Sequence, residues 1–314
     1  MQTQTIPKKP SRTPRPLKGL RILSLALNLP GPAALMRCRA MGATCVKLQP
    51  PAPKGAPAGS CGDPMGLYNP AAYAQLHEGV KVLVADLKTE AGQKLLHREL
   101  AKTQVLLTSF RPSALLKLGL GWKALHNRYP ALFQVAIVGA AGARAEEPGH
   151  DLTYMAEHGL VPGLELPASL FADMGGSLMA TEAVLQAVLT QQERYAGSGE
   201  PHPRGRYIEV PLADAAAYLA LPRTWGLTAP KGAVGGAHAG YKLYPCKDGR
   251  VAVAALEPHF AAGLCAAAGV QLSDMRNLFT PATHAAIAKF FATQTRASID
   301  ALAVERDLPI HTMA

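Results

Sequence analysis

A chain of 314 residues, 48% apolar and 17% charged, can bury one large or two ordinary cores and is too apolar for a disordered or nucleic-acid-coating protein. Lys8, Lys9, Arg12, Arg15 and Lys18 hold half of the formal charge of +10 with no acid before Gly19; the remaining 27 basic against 22 acidic residues suit a polyanionic cofactor as well as DNA, and an aromatic content of 6% gives little sign of base stacking. No apolar run spans a bilayer, no apolar leader opens the chain, and Cys38, Cys45, Cys61, Cys246 and Cys265 form no metal-type cluster, so the expectation is a soluble cytoplasmic protein with reduced thiols, no metal, no membrane and no nucleic acid.

Residues 1–18, with prolines at 7, 10, 14 and 16, read as a flexible basic arm. Leu20 to Leu27 is a short apolar run, Pro30-Gly31-Pro32 reads as a turn, Ala33 to Met41 as a helix, and Thr44 to Leu48 as a second strand. That opening predicts a Rossmann-like parallel sheet, where ligands gather at the carboxyl ends of strands. No Gly-x-Gly-x-x-Gly follows the first strand, which disfavours a dinucleotide site. After a Pro/Gly/Ala-rich loop over 50–69 come a strand over Val80 to Asp86, a helix over Thr89 to Ala101, and strands over Gln104 to Thr108 and Gln134 to Val138. Arg111 directly follows the strand ending at Thr108, where its planar fork of donors suits a phosphate.

The first domain is expected over 19–224, closing with a strand at Arg206 to Val210 and a helix from Leu212. A Gly-rich linker is expected over 225–237 and a smaller α+β domain over 238–314. Lys247-Asp248-Gly249 reads there as a hairpin turn before the strand Val251 to Ala255, with packing helices in the rest.

Between Gly149 and Gly176 the chain reads Gly-His150-Asp-Leu-Thr-Tyr and, past a loop, Ala-Asp173-Met-Gly175-Gly176, followed by a long apolar run from Ser177 to Leu189. Asp173 is thereby expected at the mouth of a buried helix, whose first N–H groups favour negative charge, with the glycines letting a ligand approach the backbone. A carboxylate there can act as base or nucleophile, and an imidazole can complement it. Taken singly, Asp173 also reads as a helix cap and His150 as a structural histidine.

These stretches, with Ala255-Leu-Glu257-Pro-His-Phe260, resemble the family III CoA-transferases (CaiB/BaiF type), particularly their α-methylacyl-CoA racemase branch. The similarity extends through Leu17-Lys-Gly-Leu-Arg-Ile-Leu23, Gly31-Pro32, Met41-Gly-Ala43 with Val46-Lys47, Ala85-Asp-Leu-Lys88, Phe110-Arg-Pro-Ser113 and Leu118-Gly-Leu-Gly121. The resemblance implies an acyl-CoA substrate, coenzyme A entering as part of that substrate with no permanently bound cofactor, and a homodimer. It makes Arg111 the best CoA contact and Lys81 and Lys88 weaker ones, with Gly175 and Gly176 beside the ligand. It implies His150 and Asp173 as the racemase acid/base pair and Glu257 as the carboxylate that orients the histidine, with backbone N–H groups near Asp173 stabilising the enolate. In the transferase branch the matching aspartate instead attacks the thioester to form a mixed anhydride, needing neither His150 nor Glu257. The presence of His150 with Glu257 favours racemase-like chemistry. A catalytically silent acyl-CoA-binding protein is the remote alternative.

Three departures from the family pattern bear on this expectation. Gly139 to Arg144 replaces a Gly-aromatic-Gly-Gln element, the loop between Gly159 and Asp173 is shorter than usual, and Ala314 falls several tens of residues before the usual end, whose last segment helps to interlock two subunits.

Overall fold

The computed structural model describes residues 14–57, 60–197 and 204–314, which divide into two compact units, one ending at Leu219 and the other Ala220–Ala314. Most of the expected basic arm lies outside the described residues. Leu17, assigned to the arm, instead belongs to the first core: it is buried, and its N–H donates to the Met41 carbonyl at 3.0 Å.

The first unit is built on six parallel strands, β1 (Arg21–Ser24), β2 (Thr44–Gln49), β3 (Lys81–Val84), β4 (Val105–Thr108), β5 (Phe133–Val138) and β6 (Tyr207–Pro211), in the order β3-β2-β1-β4-β5-β6. Ile22 lies between Cys45 of β2 and Val105 of β4, which fixes the register on both sides of β1. The inner strands are apolar on both faces, as a sheet covered by helices on both sides requires. Ile22, Val105, Leu107 and Val135 face one core with the helices Pro30–Ala40 and Phe171–Gly197, while Leu23, Val46, Leu48 and Leu106 face a second with the helix Glu90–Leu100.

Two expectations are corrected here. Pro30-Gly31-Pro32 is no turn but the first turn of the helix Pro30–Ala40; a proline at the first helical position lacks only an N–H that has no partner there anyway, and its fixed φ suits the helix. The helix after Leu170 starts at Phe171 and runs 27 residues, so Gly175 and Gly176 lie inside it rather than before it.

The second unit carries an antiparallel sheet of β7 (Tyr241–Cys246), β8 (Gly249–Ala254) and β9 (Ile310–Met313), in that order. Cys246 pairs with Gly249, leaving Lys247-Asp248 as a two-residue hairpin turn. Tyr244, Val251 and Val253 pack on Leu264, Ile287, Phe291 and Ile299 from the helices Pro258–Ala267, Pro281–Ala292 and Arg296–Glu305. The Gly-rich stretch over 225–237 belongs to this unit and holds a single 3-10 turn, Ala233–Gly235. The chain is thus an α/β protein with a Rossmann-like large unit and a smaller α+β unit. Among the described residues no helix is long and apolar enough to cross a membrane.

Candidate active site

The residues that immediately follow β1, β4, β5 and β6 converge on one cleft of about 280 Å³. Leu27 and Asn28 come from the end of β1, Ser109 to Arg111 from β4, Gly139 from β5 and Leu212 from β6; His150, Tyr154 and Asp173 complete the wall. β1 and β4 are neighbours although the chain leaves them in opposite directions, which is where an open parallel sheet parts its loops and admits a ligand. A larger hollow of about 910 Å³ lies on the sheet of the second unit, but no carboxylate lines it.

Asp173 stands in the first turn of the helix Phe171–Gly197, half-buried. Its backbone N–H donates to Oδ1 of buried Asp151 at 2.9 Å, so one carboxylate caps the helix that carries the other. Burial, and then the charge of Asp151, push the Asp173 carboxyl up to about 6. A helix start alone would favour the anion; the upward direction shows that desolvation and the neighbouring carboxylate outweigh it. The outcome is a carboxyl group able both to take and to give a proton near neutral pH.

His150 precedes the helix Asp151–Glu157. Its N–H donates to the Thr153 hydroxyl at 3.0 Å, and that hydroxyl donates back to the His150 carbonyl at 2.7 Å, which fixes the backbone while the imidazole remains exposed on the cleft. The following turn of the same helix presents Tyr154, whose hydroxyl fills the space that side chains at Gly139 and Gly149 would occupy. Arg111 also lines the cleft, exposed, and its guanidinium makes no hydrogen bond or ion pair with another described residue, which leaves its donors for an anion.

The structure therefore brings Asp173, His150 and Arg111 to one cleft. Lys81 and Lys88 are not among its lining residues. Lys81 opens β3 and so stands at the amino edge of the sheet, away from the strand ends that form the cleft; Lys88 is on the correct side but exposed, its N–H turned to Asp86 Oδ1 at 2.9 Å. Gly175 and Gly176 are not among the lining residues either. A Cβ at Gly176 would collide with Leu212 Cδ2, and one at Gly175 would come within 3.2 Å of Leu219 Cδ1, so their bareness lets the helix Leu212–Leu219 approach. Of the backbone N–H groups near Asp173, its own is already given to Asp151. Glu257 belongs to the second unit, exposed just before the helix Pro258–Ala267.

Sequence reasoning missed Asp151 and Asn28. Asp151 lies inside the Gly-His-Asp motif, and an acid at the start of a short helix gives no sign that it will turn toward a second helix. Asn28 leaves one signal, an asparagine between an apolar run and a proline, where a left-handed turn is common; its φ is 62°.

A model of CoA-transferase family III matches residues 17–314. Among characterised proteins the chain is similar to alpha-methylacyl-CoA racemase of Homo sapiens, 28% identical over 303 residues, 90% of this chain and 73% of that protein. It is also similar to succinyl-CoA–D-citramalate CoA-transferase of Chloroflexus aurantiacus, 31% identical over 206 residues, 63% of this chain and 51% of that protein. Among solved structures, a hypothetical protein from Mycobacterium tuberculosis superposes with a TM-score of 0.78 at 22% identity, covering 96% of this chain and 86% of that one. That likeness bears on the fold alone.

Proposed function

Since this chain belongs to CoA-transferase family III, we propose that it binds an acyl-CoA in the cleft below Arg111 and exchanges the α-proton of a 2-methylacyl thioester. The observation that carries this reading is the pairing, in one cleft, of an exposed imidazole with a carboxyl group whose affinity for a proton is pushed up to about 6. The α-carbon is a weak acid, so exchange needs one group to remove its proton and another to return one to the opposite face. Asp173 and His150 take these two roles, and Arg111 holds a phosphate of the CoA moiety. Coenzyme A arrives with the substrate and leaves with the product.

The runner-up rests on the same carboxylate. Asp173 attacks the thioester carbonyl, the C–S bond breaks and CoA thiolate departs, leaving a mixed anhydride; the thiolate then attacks the aspartyl carbonyl, releasing the first acid, and an acceptor carboxylate takes over the CoA through a second anhydride. The similarity to a succinyl-CoA–D-citramalate CoA-transferase supports it.

One assay separates the two. Incubated in deuterium oxide with (R)-2-methyldecanoyl-CoA and no free acid, the protein is expected to place deuterium at C2 and erode the stereochemical purity of the thioester. Label that stays out while CoA passes to an added carboxylate gives the result to the transferase.

A further inference from the structure

Both reactions put negative charge on the thioester oxygen, and the N–H of Asp173 itself is already given to Asp151. Asn28 offers another. After β1 the chain passes through Asn28 with φ 62°, a left-handed conformation that asparagine tolerates and most side chains avoid. It is fixed from both sides. The preceding Leu27 N–H donates to the Ser109 hydroxyl at 3.1 Å, and the Asn28 N–H donates to Asp63 Oδ1 at 3.0 Å.

Asp63 is itself held. Its Oδ1 also accepts from the Met65 N–H at 3.0 Å, and its Oδ2 is paired with Lys47 Nζ, both side chains wholly buried. Lys47 reaches His77 Nε2 at 2.9 Å and lies 5.3 Å from the centre of the Tyr73 ring; His77 Nδ1 donates to the Tyr73 carbonyl at 2.7 Å, which leaves Nε2 to accept from the ammonium. This chain of contacts ends at one residue of the cleft wall. The Asn28 Oδ1 receives the Tyr68 hydroxyl at 3.5 Å, and its amide N–H pair has no hydrogen-bond partner among the described residues.

We propose that Asn28 donates an amide N–H to the carbonyl oxygen of the bound thioester, and that the buried Lys47–Asp63 pair positions it. The inference rests on the acyl-CoA reading but on neither reaction. In exchange, the electron pair of the broken C–H bond moves into the carbonyl as the proton passes to the base; in acyl transfer, the carbonyl electrons move onto oxygen as the carboxylate adds. The same N–H meets the charge in each case.

The test compares 2-methyldecanoyl-CoA with the matching S-(2-methyldecyl)-CoA thioether, which has no carbonyl, by calorimetric titration of the full chain. The wild type is expected to prefer the thioester roughly three- to tenfold, the size of one net hydrogen bond. Asn28→Gly keeps the left-handed backbone and lacks the amide; it is expected to lose the preference, leave thioether affinity unchanged, and lower the exchange or transfer kcat roughly a hundredfold, with KM raised by no more than the roughly three- to tenfold lost in binding. Asn28→Asp keeps the shape but not the donor and is expected to behave likewise, whereas a residue needed only for its backbone would be served by either replacement. An undiminished thioester preference in both variants overturns the role of Asn28. Failure of the wild type to bind either ligand overturns the acyl-CoA reading, and this inference with it.

Discussion

Lys47 and Asp173 both carry an ionisable group into the apolar first unit, and their surroundings answer the charge in opposite ways. Lys47 meets a counter-charge in Asp63, an imidazole lone pair in His77 and the face of Tyr73, and none of these three is spare. Asp173 meets another carboxylate, Asp151, which gives its helix a cap and at the same time opposes its ionisation. Burial lowers the Lys47 ammonium's affinity for its proton, Asp63 opposes that shift, and the pair together fixes the backbone around it. A carboxylate beside a like charge has two states of similar free energy, which proton transfer requires.

Asp173→Asn breaks the comparison on its reactive side. Activity is expected to fall by about 10²–10⁴-fold, the usual contribution of a placed acid or base, in the deuterium assay or in CoA transfer. The same substitution is expected to stabilise the fold. A carboxyl raised to about 6 in the folded chain and near 4 in the unfolded one binds its proton more tightly when folded, so its ionisation opposes folding; the cost is absent below pH about 4, grows up to about 6 and is complete above. Urea denaturation should therefore show the Asp173→Asn variant more stable than the wild type at pH 7.5 and equal to it at pH 4.

Asp63→Ala breaks the other side. It strands the Lys47 charge and frees two backbone N–H groups, those of Asn28 and Met65, and is expected to cost about 3–5 kcal/mol, read from the urea midpoint at constant slope. Asp151→Asn gives the smallest effect and sharpens the contrast. The amide oxygen still accepts the Asp173 N–H, but the like charge is gone. With the enantiomer whose proton Asp173 removes, the acidic limb of kcat/KM near pH 6 is expected to move down, though not to an ordinary carboxylate value, because burial is the larger cause.

The sheet was legible because its inner strands are short apolar runs ended by polar or Gly/Pro residues, and Asp173 because a lone acid introduces a long apolar run. Local reading failed where a residue's partner is remote. Pro30 and Gly176 look like loop residues, yet one opens a helix and the other admits a neighbouring one. β9 has too few residues to announce itself and is made a strand by its pairing with β8. Lys47 and Asp63 are separated by a Pro/Gly-rich stretch with no periodicity to signal that they meet. The cleft likewise draws on four strand ends that only the topology brings together.

Gly176 sits one turn along from Asp173, and the side chain filling the space above it, Leu212, is also part of the cleft wall. The two positions ought to covary among descendants of this chain: a methyl group acquired at 176 calls for a slimmer residue at 212. Reciprocal libraries at this pair offer a route to retune acyl-chain selectivity while leaving every reacting atom untouched.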